Sequence, residues 1–205
     1  TVSHAISIGG MKGPTLNIID RTPSLTMSKN IAFPLAASHG VLSTYLAMAG
    51  FEGFLSIFEG PSGLIESVYG GDFKIPGGEL VPENRIYYIL DLLQKNIPVQ
   101  STSIGHTQCV LELVQKYNII PEEIQEIKVF SGTRNTEHCG NPNRRHPRNK
   151  ETADHSIYFI TAASVVDKEM TPRQYGKLND KRIYEVAEKV SVHIDPYFDE
   201  YPRRD

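Results

Sequence analysis

The run Ile157-Tyr158-Phe159-Ile160-Thr161-Ala162-Ala163 most restricts what this chain can fold into. A segment without a charged face has no side to offer solvent, so it reads as a helix buried inside a domain. Directly before it stands Asn149-Lys150-Glu151-Thr152-Ala153-Asp154-His155-Ser156, which crowds acid, base, imidazole and hydroxyl groups onto the start of that segment. Further upstream, Arg144-Arg145-His146-Pro147-Arg148 is a dense cationic loop. A cationic loop against a helix start is a place to hold a small polyanion, because helix N–H groups and dipole add to the side-chain charge.

The chain of 205 residues is long enough for one large domain or two small ones with a real core. Its formal net charge of -3 argues against a dedicated nucleic-acid binder, which wants a broad basic face. No run approaches the roughly 20 apolar residues of a membrane span, so no membrane partner is expected. The start, Thr1-Val2-Ser3-His4-Ala5, shows no secretory pattern and no initiator Met, and the simplest reading is a part of a longer chain. The two cysteines, Cys109 and Cys139, read as free thiols of a cytosolic protein. They cannot furnish the three or four thiolates of an iron–sulfur cluster, so the expected chemistry runs on side-chain acids and bases, without a cofactor.

Along the chain, residues 4–19 read as a helical piece broken by glycines and Pro14. A strong helix follows, with Pro34 suited to its first turn, an apolar stripe of Leu35, Leu42, Leu46 and Ala49, and Gly50 as the stop. Residues 51–64 read as a turn and a brief helix, and Gly70-Gly71 and Gly77-Gly78 bracket a loop. From there the character changes. Residues 86–97 are rich in strand formers, 107–117 is an amphipathic helix, and 126–130 alternates as a half-buried strand. Residues 153–168 and 181–189 read as helices and 190–194 as a further strand. The expected fold class is α+β: part of an all-helical domain over 1–88, then a smaller two-layer α/β domain over 89–205.

Few residues can carry chemistry. Lys29 precedes the long helix and can reach into a pocket as a carboxylate clamp, or sit solvated on the surface. Lys95 lies at a strand end in Gln94-Lys95-Asn96-Ile97-Pro98. His106 opens a helix after Ser101-Thr102-Ser103, where the positive dipole end favours its neutral form; the ordinary alternative is that Ser103 merely caps the helix. Arg144, Arg145 and Arg148 can fork onto carboxylates, or form a solvated loop. His138 beside Cys139 is at best half a metal site, with no second pair at ligand spacing, so no metal is expected.

Four segments, in order, resemble the MmgE/PrpD family, which includes 2-methylcitrate dehydratases and cis-aconitate decarboxylases. They are Ser28-Lys29 with Ala36-Ala37-Ser38-His39-Gly40; Leu46-Ala47-Met48-Ala49-Gly50-Phe51-Glu52-Gly53 with Ile57-Phe58-Glu59-Gly60-Pro61-Ser62-Gly63; Lys95-Asn96-Ile97-Pro98 with His106; and Lys150 to Ser156, close to the family's ETADHS signature. The resemblance implies a helical domain with a smaller α+β lid, an active site between them, and usually a homodimer. Family members are about twice this length, and their N-terminal half supplies an Asp and His residues that this chain lacks, so the chain by itself is expected to be inactive. The decarboxylases' tyrosine has no match around Asn141, which weighs against that activity.

Together these readings predict a metal-independent lyase that dehydrates 2-methylcitrate or a related hydroxytricarboxylate in propionate catabolism, in the cytosol or, in a eukaryote, the mitochondrial matrix. Lys29, Lys95 and His106 are the expected catalytic residues, with Lys29, Lys95 and Arg145 binding a small polycarboxylate substrate. His155 is expected to fix its helix to its loop. A decarboxylase, an epimerase of the iminodisuccinate type and a non-catalytic assembly module remain as alternatives.

Overall fold

The computed structural model describes residues 1–13, 22, 24–70, 89, 92 and 94–200. Two compact units emerge: Thr1–Asn17 with Asn30–Leu92, and Ile18–Lys29 with Leu93–Asp205. The described part of segment 18–29, which the sequence reading placed in the helical domain, therefore groups with the second unit.

In the first unit, α1 spans Val2–Gly10 and α3 Leu64–Tyr69; α2, Ser28–Met48, belongs to it from Asn30 onward. Ser7, on α1, is buried and donates to the Phe54 carbonyl at 2.7 Å. Gly53 beside it is obligatory, since a Cβ there would meet the Ser7 side chain at 2.6 Å. Pro34 lies inside α2, six residues past its start, not in the first turn as expected. It removes one backbone donor from the helix ladder.

The expected apolar stripe of α2 is not its buried side. Ala32, Ser43 and Ala47 are buried, whereas Leu35, Leu42 and Ala49 are exposed and Phe33 is 86 % exposed. Small residues allow close backbone approach, so the packed face of this helix is its small one. α2 is also long and apolar enough to cross a membrane by length and composition, contrary to the sequence expectation. Its Ser, Thr and Gly residues interrupt the apolar run without making it polar on average.

The second unit is built around α7. In chain order it comprises α4 (Ile104–Tyr117), β1 (Ile127–Ser131), α5 (Thr133–Cys139), α6 (Lys150–Ala153), α7 (Ile157–Asp167), α8 (Lys181–Ala187) and β2 (Val190–Ile194). Every residue of α7 from Ile157 to Val165 is buried, as the apolar run demands. α4, α8 and β2 pack around it. β1 and β2 pair in parallel, Ile127 opposite Val190 through Ser131 opposite Ile194. The expected two strands at 126–130 and 190–194 are thus present, and the chain is α+β.

Two expectations for this unit change. The strand expected over 86–97 falls mostly outside the described residues, and from Gln94 to Gln100 the backbone is irregular, although Ile97 and Val99 are buried. The single helix expected over 153–168 is divided at Asp154–Ser156. Ser156 adopts an extended conformation and its Oγ accepts from the Phe159 N–H at 3.1 Å, capping α7.

Candidate functional site

Among the described residues, the break between α6 and α7 brings together a group of ionisable side chains, the buried Asp154 and His155 with Lys150. Asn149 caps α6, accepting from the Thr152 N–H at 2.9 Å, and donates through Nδ2 to the Leu25 carbonyl at 2.8 Å. Thr152 Oγ1 accepts from the buried Leu25 N–H at 3.0 Å. Arg144, itself buried, donates to the Thr22 carbonyl at 2.8 Å. These bonds tie the segment that leads into Lys29 onto α6, across more than a hundred residues of sequence.

The consequence is electrostatic. Asp154 is 6 % exposed, and burial by itself would push its carboxyl upward. Hydrogen bonds from His155 and Lys150, together with Coulombic attraction to His155 and Lys29, outweigh burial and hold it below the ordinary carboxylate range. The Lys150 ammonium lies 2.7 Å from Oδ2, at the i,i+4 spacing of one helical turn, while His155 Nδ1 bonds Oδ1. His155 is buried and meets His138 edge-on at a ring separation of 5.4 Å. Its side-chain bond to Asp154 lies within the α6–α7 turn.

The loop carrying Lys95 is tied to the same turn. The Gln100 N–H donates to the Asp154 carbonyl at 2.9 Å, Tyr175 Oη donates to the Pro98 carbonyl at 2.6 Å, and Lys95 Nζ donates to the Val99 carbonyl at 3.0 Å. Lys150 Nζ lies 5.6 Å from the centroid of the Tyr175 ring. Lys29 and Lys95 were expected from two unlike halves of the chain; both belong to the second unit.

His106 stands in the first turn of α4 with both ring nitrogens buried and, among the described residues, without a hydrogen-bond partner. Burial lowers its pKa to about 4, so it is a neutral imidazole at pH 7. The neutral form was expected, but desolvation is its cause, not the helix dipole. Nor does Ser103 cap α4: its Oγ is buried and has no hydrogen-bond partner among the described residues. Gln100 caps the preceding turn instead, accepting from the Thr102 N–H at 2.6 Å.

Arg145 is engaged elsewhere. Its Nη1 donates to the carbonyls of Ala187 and of Val190, the latter at 3.0 Å, and its guanidinium covers the Tyr158 ring at 4.1 Å. It closes the end of α8 and the start of β2, so its donors serve the fold and not the Asp154 group. The sequence reading gave no role to Lys150 or Tyr175. The i,i+4 spacing of Lys150 and Asp154 was a legible signal; the approach of Tyr175 to Pro98 had none.

A groove of about 510 Å³ on the first unit, lined by Met11, Phe54, Ile57, Pro61 and Leu64 among others, has no charged side chain in its walls. It is unsuited to a polyanion.

The hold on the Lys29 segment can be measured. Thr152→Val keeps the shape of the side chain but leaves the buried Leu25 N–H without its acceptor. The expected loss is about 1–3 kcal/mol in urea unfolding. An unchanged midpoint would show that this tie contributes nothing.

Two family profiles match the chain. The profile of the MmgE/PrpD C-terminal domain matches residues 98–205, more than half of the chain, and that of the N-terminal domain matches residues 1–76. The chain belongs to the MmgE/PrpD family. The C-terminal match of this family member takes in the Asp154 turn, His106 and Tyr175, and the N-terminal match takes in Lys29. Lys95 lies between the two matched regions. A search of curated proteins finds no match.

Proposed function

We propose that this MmgE/PrpD protein is a hydro-lyase that removes water from 2-methylcitrate or a related hydroxytricarboxylate, in propionate catabolism in the cytosol or a mitochondrial matrix. The observation that carries this reading is the convergence on Asp154 of Lys29, Lys150 and the Lys95 loop. Dehydration removes a proton next to a carboxylate and expels hydroxide, so negative charge grows on a substrate that is already trianionic. Preplaced ammonium groups offset that charge as it develops. Asp154, held ionised, orients the Lys150 ammonium through their 2.7 Å bond and attracts Lys29 electrostatically. His106, neutral at pH 7 and with unspent ring nitrogens, suits a hydrogen bond to substrate or the acceptance of its proton.

A second reading has its own observation. Phe33, Tyr45 and Met48 on α2 are all more than half exposed, which supports an assembly role, with a second copy of the chain as the proposed partner. One preparation of the intact protein tests both. Incubation with 2-methylcitrate, citrate and cis-aconitate in the presence of a chelator is expected to yield the unsaturated acid from a hydroxytricarboxylate, without carbon dioxide release. Light scattering is expected to report a dimer. A dimer inactive on every acid would leave only the assembly reading, and carbon dioxide release would identify a decarboxylase.

A further inference from the structure

We propose that Tyr175 is a positioning residue that sets the place of Lys95 in the site, an inference resting on the polycarboxylate reading above. Lys95 lies on an exposed, irregular stretch, and neither helix nor strand holds its backbone. What holds the stretch is a short set of anchors: the buried side chains of Ile97 and Val99, the Gln100 N–H on the Asp154 carbonyl, and Tyr175 Oη on the Pro98 carbonyl. Of these, only the tyrosine bond reaches the loop from a side chain outside it.

Tyr175 is fitted for that task. It is 7 % exposed and stacks on Phe159, in the first turn of the buried helix α7, with a ring separation of 6.2 Å and an interplanar angle of 20°. Its own backbone belongs to the 3-10 turn Pro172–Lys177, closed by a capping box between Thr171 and Gln174. Burial, reinforced by the charge of Asp154, pushes the phenol far above its ordinary range, so it remains a donor at every physiological pH. The same ring carries the Lys150 ammonium over its face. One rigid side chain thus references two cations of the site to α7: Lys95 through its hydroxyl, Lys150 through its π-system.

The test is a double-mutant cycle read by calorimetry with tricarballylate (propane-1,2,3-tricarboxylate), which cannot be dehydrated. Tyr175→Phe keeps the ring, its stacking and its cation contact while deleting the bond to Pro98. It is expected to weaken binding about threefold to tenfold in the wild-type background. In a Lys95→Met background the same change is expected to have almost no effect, because the group it positions is gone. A merely structural tyrosine would cost the same in both backgrounds, and that result overturns the proposal. If Lys95→Met itself binds tricarballylate as tightly as the wild type, the polycarboxylate site is wrong and this inference falls with it. Should Tyr175→Phe fail to melt cooperatively, Tyr175→Met, which fills the buried site without a donor, takes its place in the cycle and is judged by the same comparison.

Discussion

Replacing Lys95 by alanine in the intact protein is expected to lower kcat/KM on the hydroxytricarboxylate by about tenfold to a hundredfold while leaving the unfolding transition almost unmoved. The two halves of that expectation come from one geometry. Lys95 is exposed, and among the described residues its Nζ bonds only the carbonyl of Val99, four residues along the same loop. Such a local bond to a solvated amine stabilises the fold little. Against a carboxylate, a charged hydrogen bond is worth about 1.5–3 kcal/mol, which converts to the stated loss in rate. Lys95→Arg should recover part of the binding and little of the turnover, since a planar fork does not reproduce a point charge. Lys29→Ala should resemble Lys95→Ala in rate but destabilise slightly, because Asp154 loses part of the attraction that offsets its burial. Unaltered rates in both variants, across several tricarboxylates, would remove the site.

His106 carries the second large effect, and its sign is unusual for a residue assigned to a site. Its folded pKa of about 4 lies below the ordinary 6.5. The unfolded chain therefore binds the proton first as pH falls. Stability linked to this group is complete above pH 6.5 and is eroded between pH 6.5 and pH 4, by at most about 3 kcal/mol. His106→Met removes that erosion. Methionine also relieves the burial of two ring nitrogens that meet no partner among the described residues, so at pH 7 the variant is expected to be more stable by about 1 kcal/mol. The same substitution should weaken tricarballylate binding. Urea unfolding of both proteins at pH 5 and pH 7 measures the first effect, and calorimetry the second. A variant that is less stable than the wild type at both pH values, with ligand binding unchanged, would mean that His106 serves packing and not a ligand.

Much of the second unit was legible because its signals are local. The all-round burial of Ile157–Val165 follows from an unbroken apolar run, and β1 and β2 follow from alternation with period two. The cap at Ser156 was readable in principle, yet the apolar residues on either side argued for a single helix. In α2 the local signal misled. Leucines at helical spacing imply a buried stripe, but close packing selected the small residues Ala32, Ser43 and Ala47 instead.

Arg145 shows a different limit of the sequence. Its cationic character and its place in an arginine-rich loop suited a substrate carboxylate, but the last carbonyls of α8 and the first of β2 competed for the same guanidinium and took it. Sequence shows the donor and hides the acceptor, which lies more than forty residues away.

The amino-acid sequence by itself determined the α+β class, the buried central helix, the two strands and the family, because each rests on short-range periodicity or on an ordered set of motifs. Only the tertiary structure decided which of the charged residues share one place. The segment leading to Lys29 is brought to α6 by Asn149 and Thr152, and the Lys95 loop by Asp154 and Tyr175. The physical reason is that a backbone hydrogen bond can be accepted from any residue type, so contacts made through carbonyls and N–H groups leave no mark in the side chains that a sequence displays.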